Sequence, residues 1–298
     1  MRLQALAAAL LVAACASAPA SSEAQTAPVP SMGEILEQSP ASDWRAVDPE
    51  NTIYMDLPTG RVIIELAPEY ASNHAANIRA LARAHYWDGA AIVRSQDNYV
   101  VQWGRDEGDT TAYGEAQRSL QPEFDRPRSG VEITRLQDPD SYAREVGFAS
   151  GFPVAGQNGR TWLAHCYGMV GAGRGDTADS GSGAELYVVI GQAPRHLDRN
   201  VTLVGRVLQG IELLSVMPRG TGPLGFYETP EERTIIRSVR LASELPESER
   251  VNLQTLRTDS ATFRTLTESR RTRRDPWFLE PTGRINVCNV PLPVRVAP

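Results

Sequence analysis

A mostly β fold, an antiparallel barrel or sandwich, is what this sequence predicts, and three observations carry the prediction. Short runs in which apolar and polar residues alternate recur through the middle of the chain. Helical periodicity is confined to a few brief stretches. Strands and helices do not alternate in the way that a parallel βαβ sheet demands. The 298 residues, 41% hydrophobic and 22% charged, suffice for one or two domains with a sizeable core. A mean hydropathy of -0.31 excludes a polytopic membrane protein. The net charge of -6 argues against a nucleic-acid partner held by bulk positive charge. There is no lysine, so all 30 basic residues are arginine.

The chain begins like an exported one. Arg2 supplies a thin positive start, and Leu6–Ala14 is an apolar run too short to span a bilayer. Ala16-Ser17-Ala18 and Ser22-Glu23-Ala24 both offer small-x-small cleavage sites. Residues 1–24 therefore read as a signal peptide, and the protein as periplasmic or cell-envelope. Val12-Ala13-Ala14-Cys15 also resembles a lipobox, in which case an anchor at Cys15 is the one membrane contact expected. Residues 25–50, with Pro28, Pro30, Pro40 and several serines, read as a linker. Residues 51–243 then form the main domain, and 244–298 a C-terminal extension of different texture. After processing, Cys166 and Cys288 either pair, as an oxidising compartment permits, or remain two buried thiols.

Within the main domain, Thr52–Leu57 and Arg61–Leu66 alternate around Pro58-Thr59-Gly60, which predicts a β-hairpin. Ala71–His85 carries Ala75, Ile78, Leu81 and Ala82 at helical spacing, with Ser72 as the expected N-cap. Short strands are predicted at Ala91–Ser95 and Tyr99–Trp103, and a long polar loop over Gly104–Ser129. Further strands are predicted at Val146–Ala149, Ala164–Val170, Glu185–Ile190 and Val201–Val207. A short helix over Gly210–Met217 and a closing strand over Thr234–Leu241 complete the domain. In the extension, Asp259–Arg274 reads as a helix ending in the basic run Arg270–Arg274, ahead of Pro276-Trp277-Phe278. Such a run is either a solvated helix end or a contact for anionic lipid.

Several familiar chemistries find no support. Gly171-Ala172-Gly173-Arg174-Gly175 lacks the third glycine of a dinucleotide loop, because position 176 is aspartate, and no amphipathic helix follows. His165 and Cys166 are neighbours in a predicted strand, so they face opposite ways and do not form a nucleophile–base pair. There is no Gly-x-Ser-x-Gly elbow, and His74, His85, His165 and His196 show no metal-ligand spacing. No metal and no cofactor is expected.

The informative stretch is Ala91–Asp106, where a hairpin turn at Gln96–Asn98 brings Arg94, Tyr99 and Gln102 to one surface. The order of hairpin, helix with Asn77-Ile78-Arg79-Ala80-Leu81, and Val93-Arg94, four residues, then Tyr99-Val100-Val101-Gln102-x-Gly104 resembles the cyclophilins, the peptidyl-prolyl isomerases. Gly183–Gly191 and Leu197–Val207 are similar to two later runs of that family, and the resemblance covers about Asn51–Ser243. It implies a closed eight-stranded antiparallel barrel capped by helices. It also implies a catalytic Arg94 with Gln102 beside it, and a substrate surface of Tyr99, Val100, Arg174, Glu185, Leu186, Tyr187, His196 and Leu197. Four positions depart from the family pattern: Arg174 for an asparagine, Glu185 for a glutamine, His196 for a tryptophan, and Val201 for a histidine.

Interconverting an X–Pro bond means crossing a barrier of about 20 kcal/mol set by amide resonance. A pocket for the proline ring and a fixed donor favouring the twisted nitrogen are sufficient to lower it. The resemblance therefore implies an isomerase acting, as a monomer, on X–Pro segments of unfolded or partly folded exported proteins. The four departures point to a second reading, a catalytically weak module that binds such peptides or acts as a chaperone.

Overall fold

The structure is a computed structural model that describes residues 30–297. The expected signal peptide and Cys15 lie outside the described residues.

The stretch expected as a linker is folded from Ser31 onward. Helix α1 (Met32–Glu37) starts with a reciprocal capping box between Ser31 and Glu34. Strand β1 (Trp44–Ala46) follows, and Ile35 and Trp44 are buried. Apart from a short periodic run at Met32–Leu36, local periodicity does not announce these elements, because too few apolar residues are present to reveal a face. Their packing partners come from far along the chain.

The hairpin forms as predicted from β2 (Thr52–Leu57) and β3 (Gly60–Leu66). One face carries Ile53, Met55, Val62 and Ile64 into the main core, and the other buries Tyr54 and Ile63 beneath Ala242 and Leu253. The extension thus covers a sheet face that would otherwise be wet.

Helix α2 (Ser72–Arg83) buries Ala75, Ile78, Leu81 and Ala82. Ser72 is its first residue rather than its N-cap, and the cap comes from elsewhere. The Glu123 carboxylate accepts from Ser72 Oγ at 3.1 Å, from the Asn73 and His74 backbone N–H groups at 3.0 Å each, and from His74 Nδ1 at 2.7 Å. A carboxylate at a helix N-terminus satisfies orphan donors and meets the positive end of the dipole. Partial burial opposes ionisation of Glu123, but these bonds outweigh it and hold the group at about 2, below the ordinary 4.5. A depressed folded pKa means that the stabilisation is complete above pH 4.5 and is lost as the pH falls towards 2. Glu123→Ala is expected to cost about 1–2 kcal/mol, read as a lower urea midpoint at pH 7. An unchanged midpoint would remove Glu123 from the account of this helix.

Strands β4 (Ala91–Ser95) and β5 (Val100–Gly104) pair antiparallel. The polar loop then gives way to four strands that the sequence does not announce and one that it does. They are β6 (Arg126–Pro127), β7 (Thr134–Leu136), β8 (Glu145–Ala149), β9 (Phe152–Gln157) and β10 (Arg160–Leu163), in a five-stranded sheet ordered β6-β10-β9-β8-β7. β8 is legible from its apolar run. β9 hides because Pro153 and Gly156 interrupt it, although it pairs on both sides.

The predicted strand at Ala164–Val170 is displaced. Regular pairing begins only at β11 (Met169–Ala172), and 164–168 is irregular chain tied by a Cys166–Cys288 disulfide. Then come β12 (Leu186–Val189), β13 (Leu203–Gln209), α3 (Ile211–Ser215), β14 (Thr234–Ile235) and β15 (Ser238–Leu241). Nine strands curl into one sheet, ordered β14-β4-β5-β12-β11-β13-β3-β2-β15, where the resemblance implies eight.

The extension adds β16 (Leu253–Leu256), α4 (Ala261–Thr272) capped by Ser260, and β17 (Val294–Val296). β1, β16 and β17 form a third sheet that joins the two ends of the described chain. A second core unites Ile35, Trp44, Phe148, Trp162, Leu256, Phe263 and Val287. The extension therefore packs into the five-stranded sheet and does not trail from the domain.

Candidate active site

A cross-strand row builds the site. Gln102 on β5 lies opposite Arg94 on β4 and opposite Tyr187 on β12. Directly paired residues share a face, so all three side chains stand on the outside of the curled sheet. Their neighbours Trp103 and Leu186 are paired with each other and are each 1% exposed in the main core. Leu186, expected on the substrate surface, therefore faces inward. Alternation along β12 gives the outer face to Tyr187.

A β-bulge decides where Arg94 points. The register of β4 on β5 shifts between Ile92 and Arg94, so Ile92 opposes Trp103 and Arg94 opposes Gln102. Were the register to run on without the shift, Val93 would oppose Gln102 and Arg94 would oppose the fully buried Val101. The bulge turns the guanidinium outward.

Once outside, Arg94 is held firmly. Its Nε donates to Leu224 O at 2.7 Å, one terminal nitrogen donates to Gln102 Oε1 at 3.0 Å, and the other donates to Gln96 Oε1. Its guanidinium lies 5.1 Å from the Phe226 ring centre and 5.6 Å from that of Tyr99. Of five N–H groups, two remain for a ligand. Half-burial lowers its pKa, with Tyr99 and Glu185 pulling the other way, and an arginine so placed stays charged at neutral pH. Gln102 Nε2 in turn donates to Glu185 Oε1. The carboxylate thereby fixes which end of the Gln102 amide faces Arg94. Burial pushes the Glu185 carboxyl up, and Arg94 draws it down.

Beside this row is a groove of about 270 Å³ lined by Arg94, Tyr99, Val100, Gln102, Gly173, Arg174, Tyr187, Leu197 and Val201. Val100 and Tyr187, with Tyr99 and Val201, make its apolar wall, and Val189 packs behind them. Six of the predicted surface and catalytic side chains meet here besides Leu197. His196 stands at the edge, its ring parallel to that of Tyr99 with centres 6.3 Å apart. Arg174 lines the groove with part of its fork occupied, Nε donating to Asn200 O at 2.8 Å and a terminal nitrogen to Gly175 O at 2.7 Å. Glu185 acts from behind, through Gln102.

Other contributors escape sequence reading. Leu224 and Phe226 reach Arg94 from a loop some 130 residues on, as the separation in their hydrogen bond records. Gly171 sits opposite Tyr187, and a Cβ there would run into the tyrosine ring. That is the physical use of a glycine whose motif suggests a dinucleotide loop. Beneath the groove, Tyr187 Oη donates to His165 Nε2 at 2.8 Å, and His165 Nδ1 donates to Asp198 at 2.9 Å. Asp198 also accepts from Arg195 at 2.6 Å, and Arg195 pairs with Asp140 at 3.0 Å. Burial holds the His165 ring neutral, the form that can accept from Tyr187. The tyrosine hydroxyl is thus consumed below, and the groove sees only its ring. A larger cavity of about 690 Å³, bordered by Arg45, Glu65, Phe148 and Thr258, contains none of the predicted site residues.

Comparison with known proteins gives a consistent picture. The family model for cyclophilin type peptidyl-prolyl cis-trans isomerases matches residues 52–241. A probable peptidyl-prolyl cis-trans isomerase of Brucella suis is 25% identical over 177 residues, covering 59% of this chain and 76% of that protein. Its counterpart from Brucella abortus is 24% identical over the same length. The crystal structure of cyclophilin AquaCyp293 from Hirschia baltica superposes with a TM-score of 0.66 at 25% identity, covering 86% of this chain and 94% of that one.

Proposed function

This chain belongs to the cyclophilin family of peptidyl-prolyl cis-trans isomerases, and from that premise we propose that it isomerises X–Pro bonds of exported proteins, with Arg94 as the catalytic donor. The observation that carries the proposal is the outward, three-point-held guanidinium of Arg94 beside an apolar groove. The proline ring packs against Tyr99, Val100 and Tyr187. In the planar ground state the prolyl nitrogen shares its lone pair with the carbonyl and accepts poorly. As the amide twists, the nitrogen pyramidalises and becomes an acceptor, and a free N–H of Arg94 meets it. Because other residues already orient the guanidinium, little reorganisation is needed at the transition state.

We read the nine-stranded sheet as the family's closed eight-stranded barrel. Supporting this, β14 and β15 lie two residues apart and act as one strand that leaves β4 for β2. Ile236 N–H donates to Ala90 O and Arg237 N–H donates to Asp56 O. Export is supported by Leu6–Ala14 and by a disulfide, which persists in oxidising compartments.

The second reading, a peptide-binding module with little catalysis, is favoured by one observation. All three guanidinium nitrogens of Arg94 already serve protein acceptors. NMR exchange spectroscopy on an Ala-Pro peptide with catalytic amounts of protein separates the two. Cis–trans exchange cross-peaks are the expected result, whereas line broadening at the uncatalysed exchange rate would leave a binder.

A further inference from the structure

The segment after α4 presents the most exposed large apolar side chains among the described residues: Leu279 is 92% exposed and Trp277 is 80% exposed. The other four tryptophans, Trp44, Trp87, Trp103 and Trp162, are all buried. Phe278 is held against Trp277 with ring centres 4.8 Å apart, and the Arg273 guanidinium lies 4.9 Å from the Phe278 ring centre. The stretch of chain that carries these rings also holds Arg270, Arg273, Arg274 and Arg284, against two carboxylates, Asp275 and Glu280. Arg271 is spent on Asp138 at 3.0 Å and Glu268 at 3.1 Å.

We infer that this segment is a membrane-contact surface for anionic lipid. Tryptophan and leucine beside arginine suit the boundary between acyl chains and headgroups, where an aromatic ring and a cationic fork are both satisfied. The excess of arginine supplies charge complementarity to anionic headgroups. The position in the fold agrees: α1, the first described helix, packs on α4, whose C-terminal end carries the patch. Cys15 precedes Pro30 by 15 residues, a reach of no more than about 50 Å.

The test uses the full chain with Cys15→Ser, so that no acyl chain contributes, mixed with vesicles of phosphatidylglycerol and phosphatidylcholine or of phosphatidylcholine alone. Trp277 is a built-in reporter, since the remaining tryptophans are buried. Emission should shift to the blue and be quenched by brominated phosphatidylglycerol, and Trp277→Phe should abolish that quenching. Arg274→Ala and Arg284→Ala should each weaken binding about fivefold, with melting temperature and isomerase activity unchanged. The inference is overturned by any of three results. These are no quenching on anionic vesicles, equal quenching on phosphatidylcholine alone, or a blue shift that follows protein concentration without lipid and so reports a second copy on the patch.

Discussion

Arg94→Ala is expected to lower kcat/KM on an Ala-Pro peptide by about 10²- to 10³-fold, the usual consequence of deleting one preorganised transition-state donor. The loss should fall in kcat, because the planar substrate gains little from the guanidinium while the twisted amide gains most. The fold should survive. Arg94 stands on the outer face of the sheet and belongs to neither of the two large cores. Arg94→Lys keeps the charge and loses the planar fork, so it cannot hold Gln96, Gln102 and Leu224 O together. It should recover only a small part of the rate. The measurement is exchange spectroscopy on wild type and variants at matched concentration, with circular dichroism melts as the folding control. Equal exchange rates in wild type and Arg94→Ala would sink the assignment of Arg94 while leaving family membership untouched.

Removing the Cys166–Cys288 disulfide should have the largest effect on stability, about 3–5 kcal/mol. The bond closes a loop with a sequence separation of 122, and constraining so long a loop in the unfolded chain falls at the upper end of the usual range. It also fastens the extension at a functionally loaded place. Cys166 follows His165, the residue that receives the Tyr187 hydroxyl under the groove. The Cys166→Ser, Cys288→Ser double variant, and wild type in reductant, should therefore unfold at lower urea. Both should also bind the peptide more weakly, with KM rising more than kcat falls. Coincident urea curves with and without reductant would mean that packing of Val287 and Ile285 in the second core holds the extension without the bond.

Much of the site is legible in the sequence, and the reason is local. Arg94, Tyr99 and Gln102 fall within one hairpin, and Tyr187 in one apolar strand, so the order of residue types along the chain carries the pattern. The helix at 72–83 and the β2–β3 hairpin are legible because their periodicity is complete within a dozen residues. The facing of Leu186 is not, because it depends on pairing with Trp103, more than 80 positions away. The same holds for the cap on α2, since Glu123 lies about 50 positions from the helix it completes. Residues 25–50 look like a linker because Ile35 and Trp44 find their partners in the 250s to 280s, and no window of sequence contains both halves of that contact.

By itself, then, the sequence determined the β-rich class, the family, and most of the side chains that line the groove, though not the facing of Leu186 or the contributions of Leu224, Phe226 and Gly171. Tertiary structure decided how they act. The Val93 bulge turns Arg94 outward, Glu185 fixes the Gln102 amide, Gly171 makes room for the Tyr187 ring, and His165 takes its hydroxyl. Each of these depends on strand register or on a buried partner distant in the chain. Register is set by the energy of the whole assembled sheet, in which a slip of one residue exchanges core and surface for an entire strand.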